Sequence, residues 1–149
     1  MKQVILVFSL IISSSVFGQK LDYNIQKGFI AGGYDVVSYF SNKAVKGSAK
    51  FTYSFDGASY KFSSKENLEI FKSNTAMYIP QYGGYCAYAI GTNGEKVTIN
   101  PKTFEIRSGK LYLFYNAWGT NTFELWQKES PEELQKKADN TWSKIKFKP

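Results

Sequence analysis

Histidine is missing from this chain of 149 residues, and cysteine and arginine occur once each, as Cys86 and Arg107. Without histidine there is no Ser–His or Cys–His nucleophile pair and no imidazole to hold a metal ion. A single cysteine leaves no internal disulfide, so the fold has to hold by packing. A single arginine removes the clustered basic footprint of a nucleic-acid binder. The surplus positive charge is lysine interleaved with acid, as in Lys65–Glu66, Lys128–Glu129 and Glu132–Glu133 ahead of Lys136–Lys137, which is the pattern of a solvated surface. Long hydrophobic runs are lacking too. The main one, Val4 to Ile12, has about half the length that a membrane-spanning helix needs.

That run sits in a recognisable context. Lys2 supplies a positive start, Ser13 to Ser15 break the apolar stretch, and Val16-Phe17-Gly18 offers a cleavage site before Gln19. Residues 1–18 are therefore expected to be a signal peptide, with residues 19–149 exported to the periplasm or the extracellular space. No cysteine stands at position 19 to carry a lipid anchor, and no second span is expected after cleavage. Loss of Lys2 takes the formal charge from +7 to +6. A remainder of this size suits one domain with a real core, expected to be a monomer.

Aromatic residues are plentiful at 17% and run the length of the chain. Residues 19–32 read as an extended leading segment closed by Gly32-Gly33. Asp35 then stands as an N-cap for a single helical turn over Val36 to Phe40. Three hairpins follow from the turn chemistry. Phe51–Phe55 returns through Tyr60 and Phe62 across Asp56-Gly57. Gly84–Ile90 pairs with Lys96–Ile99 across Asn93-Gly94. Thr103–Ile106 pairs with Leu111–Phe114 across Ser108-Gly109. Ser63 and Glu66 form a capping box for a short helix that carries Leu68 and Phe71 and ends near Ser73. Ser130 caps the C-terminal helix, with Pro131 at its first position, Glu133 closing the box, and Leu134, Ala138, Trp142 and Ile145 on one face. The expected architecture is α+β: an antiparallel sheet of about six short strands in hairpins, with short helices and a C-terminal amphipathic helix packed on it.

Taken in order, these segments resemble the YHS domain family in its small exported single-domain branch. The resemblance rests on Gly33–Phe40, on Tyr60–Asn67 with Phe71, on Tyr78–Ala89, on Asn100-Pro101 through Leu113, and on Ala138-Asp139 with Trp142. It spans about residues 28 to 145, and the Pro80-to-Ala87 run is its most specific part. The family includes metal-handling modules that carry cysteines in an Asp-Pro-Val-Cys block and a Phe-Cys-Ser-x-x-Cys block, where soft thiolates suit soft or borderline metals. On this chain those three cysteine positions are Ser38, Ser63 and Asn67. A neutral hydroxyl or amide is a poor ligand for zinc or copper, so the family's thiolate chemistry does not carry over there.

The candidates for chemistry are then few. Cys86, on the segment read as a strand, shares a face with Gly84, Tyr88 and Ile90. It reads first as an inert core thiol; a reactive or ligating thiol and an intermolecular disulfide stay open. Asp35 reads as a helix cap, and alternatively as a polar contact for a hard metal or a ligand. Tyr78, Tyr82, Tyr85 and Tyr88 crowd around Pro80 and Gly83-Gly84, either filling a core or lining a small-molecule cleft. The glycine pair is no phosphate loop, for it lacks the Lys-Ser/Thr ending. No second carboxylate lies close to Asp35 in sequence for paired acid–base work. The leading reading is a non-enzymatic module that binds a small ligand or a metal ion around Tyr34, Asp35, Tyr82, Tyr85 and Cys86. The alternative is a thiol-dependent enzyme built on Cys86.

Overall fold

The computed structural model describes residues 18–149; the signal-peptide reading falls almost wholly outside them. Eight short strands and five α-helices make up the described residues, with three single 3-10 turns between them. The strands pair only as antiparallel neighbours in sequence: β1 (Ile25–Gln26) with β2 (Phe29–Ile30), β3 (Ser48–Phe55) with β4 (Ala58–Phe62), β5 (Asn100–Arg107) with β6 (Lys110–Phe114), and β7 (Asn116–Ala117) with β8 (Thr120–Asn121). The architecture is α+β with a C-terminal helix, as the sequence predicts. The strands number eight in four separate ladders, where the sequence suggested about six in one sheet.

Two of the expected hairpins are present. Asp56 and Gly57 take left-handed backbone angles (φ 49° and 77°), as do Ser108 and Gly109 (φ 50° and 71°), which is the conformation that matches the twist of paired strands. The third is absent. Gly84 to Ile90 does not form a strand; Gln81–Gly84 is a 3-10 turn and α3 runs from Ala87 to Thr92. The Ile90 N–H donates to the carbonyl of Cys86, and the Gly94 N–H (φ 76°) donates to Ala89. Asn93-Gly94 is thus a helix stop with a left-handed glycine. Alternating aromatic and small residues imitate strand periodicity here, while the i to i+4 bonds go to the helix.

Strand β6 explains how so small a chain holds so many rings. Leu111 and Leu113 join a first core with Ile30, Val36, Tyr39, Tyr60, Phe62, Phe71 and Cys86. Tyr112 and Phe114 join a second with Tyr82, Ile90, Trp126, Leu134 and Ala138. Successive side chains on a strand face opposite ways, so β6 forms the wall between two cores, and Leu111 to Phe114 are all fully buried. Helix α1 (Lys65–Ser73) places Phe71 against Tyr60 and Phe62 in the first core. Its cap is Ser64, whose hydroxyl accepts from the Asn67 N–H, so the predicted Ser63/Glu66 box is displaced by one residue.

Helix α5 (Pro131–Ile145) forms as expected, with Leu134 and Ala138 buried. It lies against α3 rather than on a sheet: a Cβ placed at Gly91 would stand 2.7 Å from the Leu134 carbonyl oxygen. Ser130 makes no side-chain capping bond; it takes a left-handed angle (φ 72°) and leaves the start of the helix to Pro131. Helix α4 (Thr122–Lys128) buries Trp126, whose indole N–H donates to Glu105. Helix α2 (Thr75–Tyr78) is a single turn. At the tip between β7 and β8, Trp118 is 96% exposed. The leading segment is tied to the chain's other end by Asp22 N–H to Lys146 and Lys148 N–H to Lys20.

Candidate functional site

The five candidate residues do not come together in one site. Asp35 is fully buried. Its Oδ1 accepts from the Val37 and Ser38 N–H groups at 2.9 and 3.3 Å, which is the capping role expected of it. Its Oδ2 accepts from the Ser63 N–H at 2.8 Å, the Ser63 hydroxyl at 2.6 Å and the Asn67 amide at 2.7 Å. The Ser38 hydroxyl lies 2.7 Å from the Asp35 carbonyl and 2.9 Å from that of Lys43. Of the three positions that are cysteines in the metal-handling resemblance, Ser63 and Asn67 turn their side chains onto the Asp35 carboxylate, and Ser38 reaches it only through its N–H.

That arrangement is a poor fit for a metal ion. Both oxygens of Asp35 already face N–H or O–H hydrogens, the same positive ends that a cation would have to displace. Ser63 and Asn67 spend their donors on Asp35, and neither residue offers a charged ligand. Among the described residues no cluster of three or more His, Cys, Asp or Glu side chains comes together. Charge-assisted hydrogen bonds of this kind are the strong ones, and here they lock the Val36–Phe40 turn to the start of α1.

Cys86 is equally enclosed, with no exposed surface. Its Sγ accepts from the Tyr115 N–H at 3.4 Å and lies 3.2 Å from the Thr122 hydroxyl. That hydroxyl donates to the Tyr115 carbonyl at 2.8 Å. Cys86, Thr122 and Tyr115 thus close a hydrogen-bonded ring. Cys86 stands at the N-cap position of the short helix α3 and makes no side-chain capping bond there.

Tyr82 and Tyr85 stand elsewhere, on either side of the left-handed turn Tyr82-Gly83-Gly84 (φ 54°, 61° and 81°). Glycine is required at position 83, where a Cβ would come within 2.4 Å of the Asp22 carbonyl oxygen. The Tyr82 hydroxyl donates to Asp139 at 2.9 Å, and the Tyr85 hydroxyl to Asp22 at 3.2 Å. Burial, with the Asp139 bond added, pushes the Tyr82 phenol far above its ordinary range. Burial and then Asp22 raise that of Tyr85 to about 12. Lys96 bonds Asp22 at 2.8 Å and stands 5.8 Å from the Trp142 ring centre.

Beside Tyr82 opens a cleft of about 460 Å³. Tyr23, Phe55, Tyr82 and Trp142 supply its rings, and Asp56, Asp139, Gln81, Ser143 and Lys146 its polar groups. The Tyr23 hydroxyl donates to Asp56 at 2.6 Å. Tyr85 packs against Trp142 but does not line the cleft. Tyr34 is apart from all of these, nearly buried, bridged through its backbone to Lys46, and lining a different hollow.

Several cleft residues escaped the sequence reading. The sequence places Trp142 on the packing face of α5, and Asp139, three residues earlier on that helix, carries a usable signal: an acid adjoining the buried Ala138. Tyr23 and Asp56 carried none, because only the folded chain brings the leading segment to the β3–β4 turn. The family model of the YHS domain matches residues 36–82, a stretch that includes Ser38, Ser63, Asn67 and Tyr82. No curated protein and no solved structure matches the chain.

Proposed function

The chain carries a YHS domain, and from that premise we propose that it is an exported, non-catalytic module that binds a small organic molecule in the cleft beside Tyr82 and Trp142. The observation that carries the reading is the cleft itself: four aromatic rings with a few polar groups, in a volume of about 460 Å³, which is the make-up and size of small-molecule sites. The other candidates support it by being fully used. Asp35 accepts five hydrogen bonds and Cys86 sits in a closed ring with Thr122 and Tyr115, so neither is free to hold a metal or attack a substrate. Export rests on the charged start, the apolar run and the Val16-Phe17-Gly18 site.

The test is native mass spectrometry of untagged protein recovered from the host's exported fraction. The expected result is a chain beginning at Gln19 that carries a small-molecule adduct, released on denaturation and absent from a folded Trp142→Ala variant. A stoichiometric zinc or copper adduct, or a bare chain, would overturn the binding reading. A soluble chain that retains Met1 would overturn export.

A further inference from the structure

A second hollow of about 460 Å³ shares no residue with the cleft, and its chemistry is opposite in sign. Lys27, Lys46 and Lys61 line it, and no carboxylate does. Among the described residues none of these three lysines pairs with an acid; the chain's ion pairs are made by Lys72, Lys96, Arg107 and Lys136. Lys61 is held in place, with its ammonium 4.2 Å from the Phe29 ring centre and its stem against Gly33. Three uncompensated cations around one concavity create a positive field that attracts an anion, and lysine serves phosphate as a point charge.

Gln26 also lines the hollow, its amide nitrogen donated to the Ile99 carbonyl at 3.1 Å and its Oε1 sealed from solvent. The volume is that of a small-molecule site rather than of a bare ion.

We infer that this hollow binds a phosphorylated small molecule of the sugar-phosphate class, with the phosphate against the three lysines and the rest of the molecule filling the hollow. This stands independently of the cleft reading. Calorimetric titration of the full mature chain with glucose 6-phosphate, inorganic phosphate and glucose tests it. Glucose 6-phosphate should bind more tightly than inorganic phosphate, and glucose should not bind. A Lys27→Gln/Lys46→Gln double variant, altered only at exposed side chains, should lose roughly tenfold in affinity for glucose 6-phosphate, with its melting temperature unchanged. No binding of glucose 6-phosphate, equal binding of inorganic phosphate, or a double variant that titrates like the parent would each overturn the proposal.

Discussion

Asp35 faces five donors in an interior site, and Asp35→Asn preserves its shape while giving one terminal atom hydrogens of its own. Those hydrogens would be turned toward N–H or O–H groups that already point inward. The expected cost is on the order of 3 kcal/mol, as for a buried charged network that loses one partner. Ser63→Ala removes a single donor to Oδ2 and should cost about 1.5 kcal/mol. Urea unfolding measures both; an Asp35→Asn midpoint equal to that of the parent would show that the network contributes nothing. The capping half of this site was legible in the sequence, because Asp35, Val37 and Ser38 are neighbours. The other half was not. Ser63 and Asn67 lie 28 and 32 residues away, and no local pattern states that a turn and a helix start will meet.

The elements show the same division between local and distant causes. Asp56-Gly57 and Ser108-Gly109 specify their hairpins through backbone angles that few other residues accept, so β3–β4 and β5–β6 could be read directly. The segment from Gly84 to Ile90 could not, since its alternation of small and aromatic residues suits a strand as well as a helix. Tertiary contact decides: α3 fits under α5 only because Gly91 has no side chain. Glycine in an exposed helix usually loses about 1 kcal/mol to alanine. At this position Gly91→Ala should instead destabilise by about 2 kcal/mol, because the added Cβ would press on the Leu134 carbonyl at 2.7 Å. Thermal melting measures it, and since Gly91 keeps a helical backbone angle, a Gly91→Ala chain that melts at or above the parent would contradict the overlap.

Across the whole molecule, burial shifts many tyrosines in one direction. Tyr85 and Tyr112 are raised from 10.0 to about 12, and Tyr23, Tyr39, Tyr60 and Tyr82 lie higher still, with desolvation the first cause in each. Each phenol stays protonated in the folded chain after its unfolded counterpart has ionised. The stabilisation is therefore complete below pH 10 and is lost as pH rises from there toward and beyond about 12. The urea midpoint should fall steeply across that window, and a midpoint that stays level through it would contradict the burial of these rings.

The three tryptophans extend this to light. Trp118 stands 96% exposed at a hairpin tip, Trp126 is sealed in the second core, and Trp142 lines the cleft. The fluorescence of the native chain is thus a sum of three emitters graded by their access to water. A dissolved quencher such as acrylamide should extinguish the red-shifted Trp118 component first, reach Trp142 next, and leave Trp126 glowing until the fold opens. Occupation of the cleft would shield the middle emitter alone, so the protein carries its own optical gauge of whether that cleft is filled.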